Sequence, residues 1–228
     1  MQDYQEAFIE FLVRTEALRF GEFTLKSGRK SPYFFNSGQF DTGSSAERLG
    51  YFYASAAREL KTEPTLIFGP AYKGIPLCLA TAIAYQHHFG TDLPFSFDRK
   101  EVKDHGEGGW LVGRVPTPAD RIVLVDDVIT DGATKVETIN RLKEALNAKV
   151  TGLVISVDRK EKNAQGGNAI TALEDATGVE VRAIVTVYDI LEYLPGREID
   201  GQVVMTDEIQ TQIEAYLADY AVHNNRGL

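Results

Sequence analysis

The chain has 228 residues, 43% of them hydrophobic, a formal net charge of −9 and one cysteine. That is enough for one α/β domain with a sizeable core, and the acid excess excludes a general affinity for nucleic acid, which needs basic surface to replace counterions. No apolar run approaches the roughly 18–20 residues of a membrane span, the first residues lack the pattern of a signal peptide, and the lone Cys78 points to a reducing cytoplasm.

Taken in order, Gln2–Ala17 carries Phe8, Phe11 and Leu12 at helical spacing, with Leu18 in step just beyond, which predicts an amphipathic helix. Alternation on either side of Ser27-Gly28-Arg29-Lys30 predicts two short strands joined by a tight turn. Thr42–Leu60 reads as a helix with Thr42 or Ser44 as its cap. Leu66–Pro70 is a buried strand that runs into Ala71-Tyr72-Lys73-Gly74, and Ile75–His87 returns as an apolar helix. Phe95–Asp98 is a short alternating strand. The segment 99–109 has five charged residues among its first six, three glycines and no apolar face, so a mobile loop is expected there.

Ile122–Val125 is an unbroken, largely β-branched apolar run, the mark of a strand covered on both faces. Asp126 and Asp127 stand where it ends, a small-residue turn follows through Thr130–Thr134, and Lys135–Asn147 sets Val136, Ile139, Leu142 and Leu146 on one helical face. Val150–Val157 and Val181–Val187 read as further inner strands, with helices over Ala169–Thr177, Tyr188–Tyr193 and Asp207–Ala221. Strands alternating with helices imply right-handed crossovers and a mostly parallel central sheet flanked by helices. Ligands of such sheets sit beyond the carboxyl ends of the strands, a rule that collects Lys73, Arg99, Asp126, Asp127 and Arg159 at one edge.

Strand, acid pair, hydroxyl-rich turn and helix N-terminus suit a phosphorylated sugar. Unpaired N–H groups and the helix dipole favour an anion, Thr130 and Thr134 add donors, and Gly132 allows close backbone approach. An ionised Asp can accept hydrogen bonds from vicinal ribose hydroxyls. An acid pair alone would as readily be a helix cap, and neither a P-loop nor a dinucleotide fingerprint is present. His87 and His88 are sequence neighbours, so they do not face one way as metal ligands, and His223 lies in a polar tail. His105 differs, because glycine-flanked charged loops are functional more often than structural. A third acid beside a phosphate is repulsive, so charge alone assigns Asp131 no role. Phe34 and Phe35 fit either hairpin core or a site wall.

The string Val123–Gly132 resembles the 5-phosphoribosyl 1-diphosphate (PRPP) signature of type I phosphoribosyltransferases. Together with Thr24–Asn36, Phe68–Gly74 and Arg99–Gly108, it resembles the orotate phosphoribosyltransferases over more than half the chain. The resemblance implies a single type I phosphoribosyltransferase domain over 1–228, with an N-terminal helix-plus-hairpin hood at 1–40 and a mobile active-site loop at 99–109. It implies Mg2+-dependent transfer of the phosphoribosyl group from PRPP to orotate, giving orotidine 5-phosphate and diphosphate in de novo UMP synthesis. The implied molecule is a cytoplasmic homodimer with shared active sites, needing neither nucleic acid nor membrane.

Carried over by position, the resemblance implies PRPP contacts at Lys26, Tyr72, Lys73, Arg99, Lys100, Lys103 and His105. The ribose phosphate site covers Asp126, Asp127, Val128, Ile129, Thr130, Asp131, Gly132, Ala133 and Thr134. Orotate contacts fall to Phe34, Phe35, Thr130 and Arg159, whose planar fork suits a carboxylate. Lys103, His105, Asp126 and Asp127 are the implied catalytic groups, and no side chain is assigned as a direct metal ligand. The chain departs from the family's usual small residues at Asp131, Ala133 and Thr134, where Thr134 stands in for the hydroxyl missing at Ala133. The competing readings are a phosphoribosyltransferase for another base and a PRPP-binding regulator without catalysis.

Overall fold

The computed structural model describes residues 1–25, 28–103, 109–129 and 132–222, with only the backbone at 102 and 103. Two compact units form, one of Met1–Asp41, Val157–Asn168 and Val185–Leu228, the other of Thr42–Ser156 and Ala169–Ile184. In the first, helix α1 (Asp3–Arg14) buries Phe8, Ile9 and Leu12. Strands β1 (Leu18–Thr24) and β2 (Lys30–Phe35) pair antiparallel, with an irregularity between Phe20 and Phe23.

The second unit carries helix α2 (Gly43–Ala57), whose cap is Thr42, strand β3 (Leu66–Gly69) and helix α3 (Gly74–Phe89). Strands β4 (Phe95–Lys103), β5 (Gly109–Gly113) and β6 (Arg121–Asp126) follow. Helix α4 (Ala133–Leu146), strand β7 (Lys149–Asp158), helix α5 (Ala169–Thr177) and strand β8 (Glu180–Thr186) complete it. The six-stranded sheet runs β5-β4-β3-β6-β7-β8. The pairs β3/β4, β3/β6 and β6/β7 are parallel, and β4/β5 is antiparallel. Leu66, Phe68, Ile122, Leu124, Leu153 and Ile155 of three neighbouring strands are buried under Ile139 and Leu142 of α4, as the unbroken apolar runs require.

Helix α6 (Val187–Tyr193), the short pair β9 (Glu198–Ile199) and β10 (Gln202–Val203), and helix α7 (Asp207–Tyr220) return to the first unit. There α7 packs on β2, with Tyr216 edge-on to Tyr33.

Two expectations are corrected. Helix α1 ends at Arg14 and Leu18 opens β1, because two residues of turn and Glu16 at positive φ break the helical run. The segment 99–109 is not loop throughout: Arg99–Lys103 continues β4 and Gly109 opens β5, with Lys103 opposite Gly109. Strand β5 went unpredicted. It is anchored by Trp110, over which the Arg141 guanidinium of α4 stacks at 4.1 Å.

Candidate active site

The site is built at the carboxyl ends of β3 and β6. Strand β6 is covered on both faces and delivers Asp126, itself buried, at its last position. The Asp126 carboxylate accepts the backbone N–H of Asp127 at 2.9 Å and pairs with the Lys135 ammonium at 2.7 Å. Burial pushes its carboxyl above the ordinary aspartate range, and Lys135 opposes that shift. Asp127 accepts the N–H of Val128 at 2.8 Å through one oxygen and the Lys73 ammonium at 2.6 Å through the other. Each acid of the pair therefore has its own lysine.

Beneath them the fully buried Tyr53 hydroxyl donates to the Asp126 carbonyl at 2.8 Å and lies 2.6 Å from the Ser156 hydroxyl. Burial pushes the phenol well above its ordinary value, so it stays protonated as a donor. Tyr53→Phe strands a carbonyl and a hydroxyl in the core. A loss of about 1–3 kcal/mol is expected in urea unfolding, with weaker PRPP binding as the acid pair loosens.

After Asp127 the chain passes half-buried Val128 and Ile129 and reaches Gly132, which caps α4 at φ +79°. A Cβ on Gly132 would come no closer than 3.6 Å to Leu173. The left-handed backbone, rather than crowding, is what selects glycine here. Ala133 and Thr134 form the first exposed turn of α4. Thr130 and Asp131 lie outside the described residues.

Strand β3 ends at Gly69, where the chain turns tightly into α3. The Ala71 N–H donates to the Asp98 carboxylate of β4 at 2.6 Å, bracing this turn, which presents Tyr72 and Lys73. Tyr72 is exposed, with the Lys100 ammonium 4.9 Å from its ring centre. Arg99 reaches the Gly109 carbonyl at 3.5 Å across the β4–β5 pair. Lys73, Asp126 and Asp127 thus come together, and Arg99, Lys100 and Tyr72 share the neighbouring strand and turn. The Lys103 side chain, His105 and Lys26 lie outside the described residues.

Phe34, Phe35 and Arg159 belong to the first unit. The inward positions of β2 are Ser31 and Tyr33. Phe34 and Phe35 are half-buried, with Phe34 stacked on Phe23 at 5.4 Å. Arg159 stacks over Tyr33 at 4.3 Å, donates to the Ser31 hydroxyl at 3.0 Å and pairs with Glu161 at 2.6 Å. Lys160 between them takes φ +55°, a turn held by its N–H on the Asp158 carboxylate at 2.8 Å. Glu161 therefore fixes the guanidinium plane, and the Arg159 fork has donors beyond those Glu161 accepts. Sequence reasoning missed Glu161, Tyr53 and Lys135. The Tyr53 pairing needs tertiary structure and the Glu161 pairing the turn at Lys160, whereas Lys135 had a signal: a lone base four residues past the last of three acids.

A groove of about 720 Å3 runs along α4 and α5, lined by Val136, Arg141 and Leu173 among others. The acid pair and Lys73 are not among its walls, so the convergence of charged groups, not cavity size, locates the site. Two acid–lysine pairs beside the dipole of α4 can hold a sugar diol and an anion together.

The phosphoribosyl transferase domain family matches residues 40–169. Orotate phosphoribosyltransferase of Clostridium botulinum is 43% identical over 96% of this chain and 99% of that protein. The Thioalkalivibrio sulfidiphilus enzyme of the same name is 47% identical over 97% of this chain and all of its own length. The crystal structure of orotate phosphoribosyltransferase from Francisella tularensis superposes with a TM-score of 0.82 at 36% identity, covering 95% of this chain and 100% of that one. On motif, sheet order and full-length likeness alike, the chain belongs to the orotate phosphoribosyltransferase family.

Proposed function

We propose that the protein transfers the 5-phosphoribosyl group of PRPP to orotate, releasing diphosphate and forming orotidine 5-phosphate for de novo UMP synthesis. The observation that carries this reading is the acid pair at the end of β6, each carboxylate held by its own lysine, leading into the N-terminus of α4. The α4 turn receives the 5-phosphate, and Asp126 and Asp127 accept from the ribose hydroxyls. The bond from the base nitrogen to the anomeric carbon forms as the carbon–oxygen bond to diphosphate breaks; the electron pair leaves with the diphosphate, whose oxygens can take up the proton that the base nitrogen loses.

An oxocarbenium-like transition state needs orientation and charge stabilisation more than covalent help. Lys73, Arg99, Lys100, Lys103 and His105 meet the leaving diphosphate, Tyr72 and Lys26 contact PRPP, and Phe34, Phe35, Thr130 and Arg159 recognise orotate. Among the described residues no three His, Cys, Asp or Glu side chains form a metal cage. Asp126 and Asp127 would hold the ribose hydroxyls beside Mg2+, which when bound would supply charge screening for the leaving group.

Leu79 and Ile83, one turn apart on α3, are 44% and 53% exposed. Such a pair suits burial against a second copy, in keeping with a homodimer that shares its active sites. No helix among the described residues is long and apolar enough to cross a membrane, and a cytoplasmic setting goes with the metabolic role.

Ultraviolet absorbance of orotate with protein, PRPP and Mg2+ tests the reading, with uracil and hypoxanthine in parallel. The orotate band is expected to fall, to return when diphosphate is added, and to stay unchanged with a chelator present. Turnover of another base instead would replace the substrate. Silence with every base alongside PRPP binding would favour a sensor.

A further inference from the structure

Lys135 is the third residue of α4, and side chains on a helix lean toward its N-terminus. Its side chain reaches back to Asp126 with both partners nearly closed to water, 14% and 12% exposed. An ammonium so placed is costly to desolvate, so the pair is held by geometry and not by chance surface contact. The twin pair contrasts with it, since the Lys73 side chain is 61% exposed over Asp127. One lysine sits where an incoming anion can draw on it; the other is built into the floor.

The surroundings of Asp126 specify what the floor does. One carboxylate oxygen accepts the Asp127 N–H, the other takes Lys135, and the residue's own carbonyl takes the Tyr53 hydroxyl. Backbone, carboxylate plane and charge are all fixed, and each carboxylate oxygen keeps a lone pair for a ligand. In sequence, Asp126, Asp127 and Asp131 precede Lys135, which is the only base in the run 126–135.

We propose that Lys135 is a positioning residue for PRPP, holding Asp126 ionised and aimed at the ribose hydroxyls in a loop with an excess of acids. The proposal rests on the phosphoribosyl-transfer reading, but its test does not need orotate turnover. PRPP binding is titrated calorimetrically with Mg2+ for the full chain, for Lys135→Met, Lys135→Arg and Asp126→Asn, and for the Lys135→Met/Asp126→Asn double variant. KM and kcat are measured alongside.

Lys135→Met is expected to weaken PRPP binding and raise its KM by about tenfold or more, with a much smaller change in kcat at saturation. Lys135→Arg should recover most of the affinity. The double variant should bind no worse than Asp126→Asn alone, because Lys135 acts through that carboxylate. It should also melt higher than Lys135→Met, since no unpaired buried charge remains. Unchanged PRPP affinity in Lys135→Met would overturn the proposal, and so would additive losses in the double variant, which would put Lys135 directly on the ligand. Absence of orotate turnover with the affinity pattern intact would count against the proposed reaction and leave Lys135 its role.

Discussion

Lys103→Ala should lower kcat by about two to three orders of magnitude, the usual loss when one preorganised charge partner of a transition state is removed. Lys103 lies at the end of β4, opposite Gly109, and His105 falls between them in sequence. The proposed role is to meet the diphosphate as its charge develops, so the effect should fall on kcat more than on the KM for orotate. The melting temperature should hold, because the ladder of Ser96–Asp98 with Leu111–Gly113 does not depend on that ammonium. Mixing Lys103→Ala protomers with Asp127→Asn protomers adds a second readout. If the hairpin serves the neighbouring subunit, a mixed dimer contains one site with both groups intact, and activity reappears. No recovery on mixing would confine the hairpin to its own protomer, and an unchanged kcat in Lys103→Ala would remove the residue from the chemistry.

Gly69→Ala should cost about 3 kcal/mol of stability, at the upper end of core overpacking, and should weaken PRPP binding in whatever protein folds. A Cβ at this position would run into the backbone carbonyl of Gly74 and come within 2.9 Å of the Cys78 Cβ. The first obstacle is backbone, so no side-chain rotamer relieves it. The turn 70–73 must then move, and with it Lys73 and the Ala71 N–H that Asp98 holds. Urea unfolding gives the stability loss, and calorimetric PRPP titration gives the affinity. A Gly69→Ala protein with a wild-type midpoint would mean that the close approach of β3 to α3 is not needed.

Much of this architecture could be read from residue pattern because the central strands are covered on both faces. Ile122–Val125 and Leu66–Phe68 are unbroken apolar runs, and each has a polar turn where the sheet ends. The helix over 169–177 was equally plain. The β4–β5 hairpin was not. Arg99–Lys103 has charges where a core strand has apolar residues, and its pairing is set by Gly109–Gly113, not by burial of its own face. The end of α1 is hidden in the sequence because Leu18 continues its period, and only the turn at Glu16 breaks it. In the candidate site, the acid pair and Lys73 followed from strand ends. The partners that orient them did not: Tyr53 comes from α2, far away in sequence, and Glu161 meets Arg159 only through the positive φ of Lys160.

The antiparallel edge at β5 has a consequence for how such a chain can change over generations. Every parallel neighbour pair must be joined by a long crossover, so altering one of those strands disturbs a helix as well. Strand β5 is tied to β4 by a hairpin and needs no crossover. The segment between Lys103 and Gly109 can therefore lengthen, shorten or change its charge without rethreading the fold. Selection can retune that segment while the acid pair at the end of β6 stays as it is.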